Sequence, residues 1–189
     1  MMKISRLHVI MIGLLWLWAV AAQGQTYTML WNQLQEAERK ALPQQVIQLA
    51  GRIEEKACRE QQAGQLFKAM LWKGHYQQQL TPDSLFPDMA RMERWCAEEK
   101  DEVNQALLHS MLATRYALYL RATSYQIDQR TELLPEETPQ DIRTWSRGLF
   151  LATIERHLQA SLSHPERLMQ VRAADYQPLV IQQDASAWY

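Results

Sequence analysis

Glycine is scarce in this chain, strand-like alternation of apolar and polar residues is absent, and no acidic side chain occurs before Glu36. Six glycines in 189 residues, with no two-residue hydrophobic period, leave nothing to build strands and hairpins from. There is no His-Glu-x-x-His, no Gly-x-Ser-x-Gly and no glycine loop to cradle phosphate, so the common zinc, serine-hydrolase and nucleotide signatures are missing. Excess positive charge is missing too. With 20 Lys+Arg against 21 Asp+Glu, nothing favours nucleic acid. No apolar run reaches the roughly 20 residues that a bilayer-spanning helix needs.

What the N-terminus does contain is the layout of a secretory signal peptide. Lys3 and Arg6 precede the apolar run Val9–Val20, and small residues stand at its end and just beyond it, Ala19, Ala21, Ala22 and Gly24. Cleavage is expected after Gly24, with Ala21 as the competing site, so residues 1–24 form the leader and 25–189 a single helical domain. No cysteine stands at the cleavage site to receive a lipid. The exported chain loses two basic residues and no acidic one, and its net charge becomes about −3. Its expected location is the periplasm or the outer cell surface, without a transmembrane anchor.

Cys58 and Cys96 are the only cysteines. In an oxidising compartment they can pair, closing a loop worth about 4 kcal/mol in the chain-entropy picture. Two thiols that pack as small apolar groups are the equal alternative, and the spacing does not choose between them.

Helical periodicity runs through the rest. Tyr27, Leu30, Trp31, Leu34, Ala37 and Ala41 mark a first helix that Leu42-Pro43 ends, and Val46, Ala50, Ile53 and Ala57 mark a second. Gln61-Gln62-Ala63-Gly64 reads as the turn into a third, which buries Leu66, Phe67, Met70, Leu71 and Tyr76. Thr81-Pro82 caps a short segment, Pro87 restarts the chain, and Met89, Met92, Trp95 and Cys96 line the next helix up to a solvated charge cluster at 98–102. From Asp101 to about Arg130 runs a long central helix, with Val103, Leu107, Met111 and Leu118 on one side and Leu108, Leu112, Tyr116, Tyr119 and Leu120 beside them. A loop spans Leu133–Thr138. Thr138-Pro139-Gln140-Asp141 then opens a helix to about Leu162, and Pro165 opens a last one to about Ala174. The expected fold is all-α, an irregular, helical-repeat-like stack of antiparallel hairpins with six to seven helices.

Few residues suggest chemistry. Cys58-Arg59-Glu60-Gln61 has the Cys-x-Glu-Gln form of an internal thioester, with Cys and Gln three apart on one helix flank. The residue between Cys and Glu in such motifs is usually Gly and here is Arg59, so a coincidental helix flank in a glutamine-rich chain is the favoured reading. His157 and His164, read on one helix, lie about 10 Å apart and cannot share a metal. His75 and His109 have no partner at ligand spacing. Trp31, Trp72, Trp95, Trp145 and Trp188 could stack on sugars or peptides, but beside Leu and Met at helical spacing they read as core. An enzymatic reading would have to gather Glu155, His157 or Asp141 in one pocket. No catalytic, cofactor-binding or metal residues are assigned, and no cofactor is expected.

The stretch Tyr27–Trp72 resembles the helical N-terminal segment of large bacterial alpha-2-macroglobulin-like proteins. The shared order is Leu30-Trp31, Ala37-Glu38 before Leu42-Pro43, then Leu66-x-Lys68-Ala69-x-Leu71. Asp141–Trp145, the helix to Leu162 and Asp175-Tyr176-Gln177-Pro178-Leu179 resemble that family's following helices, so the likeness covers most of 25–189. Those chains are many times longer, continuing into β-sandwich macroglobulin domains, a bait segment and, in some, a thioester domain far downstream of these helices. By position, the Cys58–Gln61 motif is not that thioester. The resemblance implies an N-terminal fragment, a scaffold or docking segment of an exported endopeptidase inhibitor or protease trap. Its partners would be the downstream macroglobulin domains and, through them, proteases or envelope proteins. The alternative is a freestanding helical-repeat adaptor that binds a peptide or envelope protein.

Overall fold

The structure, a computed structural model, describes residues 25–130 and 139–180. The leader 1–24, the loop 131–138 with its Thr138 cap, and the C-terminal residues with Trp188 lie outside the described residues.

Among the described residues there is no strand, and the fold is all-α. The helices are α1 Tyr27–Arg39, α2 Pro43–Arg59, α3 Ala63–Leu80, α4 Leu85–Glu98, α5 Glu102–Ala122, α6 Ser124–Asp128, α7 Arg147–Ala160 and α8 Pro165–Gln170. Short 3-10 turns sit at Pro82–Ser84, Ile142–Thr144 and Ala173–Tyr176. One helix more than expected arises because the central helix stops at Ala122. Thr123 leaves helical geometry and its hydroxyl bonds the Tyr119 carbonyl at 2.7 Å. The chain then resumes as α6, which puts Ile127 in the core.

The first two connections are the same device used twice. Ala41 and Gln61 each adopt left-handed backbone, φ 52° and 53°. At the first, the Leu42 and Ala41 N–H groups donate to the Ala37 and Glu38 carbonyls; at the second, those of Gln62 and Gln61 donate to Ala57 and Cys58. This is the Schellman pattern, which satisfies the orphan carbonyls at a helix end. Glycine usually fills the left-handed position; here it does not. Gly64, read as part of the second turn, is instead inside α3.

The two turns fold α1, α2 and α3 back on one another around Leu30, Leu34, Val46, Leu49, Ala50, Ile53 and Ala69. A second, larger core lies on the other side of α3, where Phe67 and Met70 meet Met89 and Met92 of α4, Leu108 and Leu112 of α5, and Phe150 of α7. Helix α5 is buried broadly, as a helix packed on α4 and α7 must be. Leu118 departs from the expected pattern and is 59% exposed.

The helix expected from Thr138 begins later and in two steps. Asp141 accepts from the Arg143 N–H and caps a 3-10 turn, Trp145 is extended, and Ser146 caps α7 by accepting from the Leu149 N–H. The interruption turns Trp145 inward, stacked on Tyr116 with ring centroids 5.7 Å apart. A continuous helix would not place it there. After α7 the chain returns across α3. A Cβ on Gly64 would meet the carbonyl oxygens of Tyr176 and Gln177, the latter at 2.6 Å.

Two glycine substitutions should therefore move stability in opposite directions in urea denaturation. Gly51→Ala, with nothing within 4 Å of the new methyl, should stabilise by about 0.5–1 kcal/mol through helix propensity. Gly64→Ala should destabilise by about 1–3 kcal/mol, because backbone must move to admit it.

Candidate functional site

Cys58-Arg59-Glu60-Gln61 is the second Schellman turn. Helix α2 ends at Arg59, so Gln61 is not on the flank that carries Cys58; it is the left-handed residue beyond the cap. Cys58 is exposed, and its carbonyl accepts from Gln61. A thioester needs shelter from water, and these residues are all exposed. The motif's role in the structure is to end a helix.

Cys58 and Cys96 are both free. Cys96 is buried on α4, its Sγ 3.9 Å from the Gln105 carbonyl oxygen. Burial, reinforced by the nearby Glu93 charge, pushes its thiol up to about 11. That environment suits a packed thiol rather than a nucleophile.

The histidines are arranged differently from the sequence expectation. Helix α7 ends at Ala160, so His164 is not on the helix of His157; it precedes α8 and approaches Glu102 at 3.9 Å. His75 is exposed and bonds Gln79 at 3.0 Å. His109 and His157, read as unrelated, meet across the α5–α7 seam with Nδ1···Nδ1 2.8 Å.

His157 is fully buried. Its Nε2 lies 2.9 Å from Glu93 Oε1 on α4, and the Tyr116 hydroxyl donates to the same oxygen at 2.9 Å. The Glu93 carboxylate accepts from His157 Nε2–H, which Arg156 Nη2 also approaches at 3.2 Å, and one of the two facing Nδ1 atoms donates to the other. One hydrogen fills the space between the rings. Burial alone would raise the Glu93 pKa; the hydrogen bond and charge of His157, with help from Tyr116 and Arg156, outweigh it and hold it below the usual range. Burial, followed by the charge of His157, lowers His109.

A carboxylate that orients a histidine supplies two of the three members of a hydrolytic triad. The group beyond it here is a second histidine rather than a hydroxyl or thiol. The arrangement joins three helices and makes their packing sensitive to protons. Glu155 and Asp141, named with His157 in the enzymatic reading, do not join it: Glu155 is exposed and bonds Gln159, and Asp141 pairs with Arg143. Among the described residues no group of three or more His, Cys, Asp or Glu side chains is placed to hold a metal ion. The described tryptophans pack: Trp31 edge-on to Trp72 at 6.3 Å, Trp95 against Phe67 at 5.4 Å, and Trp145 on Tyr116.

The feature shaped to receive something is a half-open groove of about 1180 Å³ between the α3–α4 corner and the outer side of α5 and α6. Leu71, Leu85, Phe86, Met111, Leu118 and Tyr119 give it an apolar floor. Arg115, Arg130 and Arg143 stand around it with Asp83. Arg143 lies over the Phe86 ring, 5.3 Å from its centroid, and pairs with Asp141. Arg130 donates to the Trp145 carbonyl at 2.8 Å. No single stretch of sequence signals this groove, since its walls come from residues 71–86, 110–130 and 143. Leu118, an apolar residue beside the buried register of α5, is the local trace of it.

Compared with known proteins, the chain matches no family model, no curated protein and no solved structure. No homologue therefore assigns a role to any of these residues.

Two measurements check the site chemistry. A thiol reagent at neutral pH should modify Cys58 alone in the folded protein and Cys96 only after denaturant is added. Stability should fall on acidification. A depressed histidine pKa contributes stability fully above the unfolded value of about 6.5 and loses it as pH falls. A depressed carboxylate loses its contribution lower still, as pH falls through the Glu93 range. In urea midpoints measured from pH 7.5 to 4, His109→Gln should flatten the upper part of the decline, and coincident wild-type and variant curves would refute the assignment.

Proposed function

We propose that this chain is a non-catalytic helical scaffold that docks other domains at the cell envelope, the N-terminal helical part of an exported alpha-2-macroglobulin-like protein whose larger body traps or inhibits proteases. The ordered motif series from Leu30-Trp31 to Leu71 motivates the family. The observation that carries the docking role is the outer face of α7. Leu151 and Leu158, with Leu162 just past the helix end, are 51%, 50% and 69% exposed. Their spacing of seven and four residues aligns them on one stripe. The opposite face of the same helix holds Leu149, Phe150 and His157 in the core. A helix with apolar residues on both faces is what a segment covered by further domains requires. No helix among the described residues is long and apolar enough to cross a membrane, and the leader-like N-terminus supports export.

The groove favours a second reading, a freestanding adaptor that holds a peptide segment of an envelope partner. Its polar rim over an apolar floor is the form of a binding site rather than of a covered interface.

Genomic sequence past the Tyr189 codon separates the two. In-frame macroglobulin-type strand domains support the scaffold, and an unrelated gene in their place moves the adaptor ahead. In solution, the triple change Leu151→Ser, Leu158→Ser, Leu162→Ser should leave stability within about 0.5 kcal/mol. The uncovered stripe should make the wild-type chain self-associate with rising concentration in sedimentation, and the triple variant should not; identical profiles for the two count against α7 as a docking face.

A further inference from the structure

We propose that His157 is a proton-operated latch, which pins the part of α7 beyond Phe150 and all of α8 on the body at neutral pH and releases them as one flap in acid. From 151 to 180, every residue is exposed or half-buried except this one. Ile154 is only half-buried against the larger core, and Leu151, Leu158 and Leu162 are exposed. Few buried apolar contacts mark a segment that opens locally at low cost. The two ends of the flap have firmer anchors. Phe150 is fully buried before it, and after it Tyr176 donates to Asn104 of α5 at 3.0 Å while its carbonyl lies against Gly64 of α3. The inference stands on this geometry, whichever docking reading holds.

The latch is set by a count of protons. His157 of α7 and His109 of α5 meet through their Nδ1 atoms at 2.8 Å, so two neutral rings share one Nδ1–H. A first added proton still leaves a single hydrogen between the rings, because each outer Nε2 carries one of the others. A second puts two N–H donors face to face with no acceptor between them. The groups that face the pair are Glu93 of α4, Tyr116 of α5 and Arg156 of α7. Glu93 offsets one positive charge, while Arg156, 3.2 Å from His157 Nε2, repels any that is added. The doubly protonated pair is therefore uncompensated. His164 gains attraction for Glu102, 3.9 Å away, when it protonates, but both are exposed and solvent screens them. The two imidazoles titrate as one unit. Opening takes up protons, so it is favoured as pH falls below the free imidazole value of about 6.5.

Amide hydrogen exchange in the whole chain, corrected for the pH dependence of intrinsic exchange, tests this at pH 7.5 and pH 5. At the lower value, carboxylates near their ordinary pKa of about 4 remain mostly charged. Peptides from 151–160 should lose at least about tenfold in protection at pH 5, while those from α2 keep theirs. His109→Gln, whose amide can accept from His157 but takes up no proton, should keep 151–160 closed at pH 5. In the wild type, the imidazole carbon shifts of His109 and His157 should titrate in two steps, with loss of protection following the second. Unchanged protection of 151–160, an equal loss in α2, opening that follows the first step, or opening of His109→Gln at the wild-type pH each overturns the latch.

Discussion

The arrangement of this molecule depends on a chain of charges that crosses the boundary between its two cores. Glu54 of α2 pairs with Lys73 of α3 at 2.7 Å and with Arg91 of α4 at 2.9 Å; Arg91 pairs with Asp88 at 2.7 Å, and Asp88 with Arg115 of α5. Four helices are joined by five side chains. Asp88 is buried, so it must keep its partners, since breaking such a pair from one side leaves an uncompensated charge at a cost of about 3–5 kcal/mol. Gly74 is the space that makes this possible. A Cβ there would stand 2.5 Å from Arg115 Nη2 and 2.8 Å from Asp88 Oδ2. Hydrophobic burial holds each core together without dictating how one core is rotated on the other. The ion-pair chain contributes to that register, because Asp88, buried between Arg91 of its own helix and Arg115 of α5, must keep its partners.

The α5–α7 seam uses the opposite strategy. Tyr116 stacks on Trp145, packs on Phe150 and donates to Glu93, so a single phenol ring carries aromatic, apolar and polar contacts of three elements. Its pKa is raised by burial and by Glu93, which keeps it a donor under all physiological conditions. Glu93 then fixes His157, and His157 fixes His109. A polar network this enclosed is stable while every member is satisfied. Protonating both imidazoles would put two N–H donors face to face across the 2.8 Å contact.

Local signals in the sequence revealed most of the helices and their inward faces. Val46, Ala50, Ile53 and Ala57, read from spacing alone, are all fully buried. The boundaries that failed did so where a distant residue overrode local preference. The helix after Pro139 is broken because Trp145 must reach Tyr116, and the central helix ends early because Ile127 must reach the core. Left-handed Ala41 and Gln61 stand where sequence reasoning looks for glycine. The glycines that matter, Gly64 and Gly74, serve contacts with residues 176–177 and 88–115, which no window of sequence contains. The Glu93–His157–His109 network had a faint trace. His109 shares a helix face with Leu112 and Tyr116, and His157 lies seven residues after Phe150; both positions belong to buried registers. Polar residues in buried registers call for a partner, but periodicity cannot name it. The groove was illegible for the same reason.

The hairpin of α1 and α2 gains a purpose from this geometry. None of the residues lining the groove belongs to α1, α2 or α7. Yet α3, whose C-terminal half forms one wall through Leu71, His75 and Gln78, is fixed on its other side by the first core and by Lys73–Glu54. Trp31 reaches across to Gln65 with an N–H donated at 2.6 Å, and Trp72 stacks on Tyr76 with centroids 6.0 Å apart. Helix α3 alone would be free to shift along α4 and α5. Buttressed by α1 and α2, it becomes a stationary wall, and the groove is preorganised rather than formed on contact. Preorganisation lowers the ordering cost of binding. The same rigidity serves a scaffold, since the α7 leucine stripe and the groove are then held at fixed positions on one body. Helices α1 and α2, which line neither surface, fix the α3 wall of the groove, while packing on α5 fixes the α7 stripe.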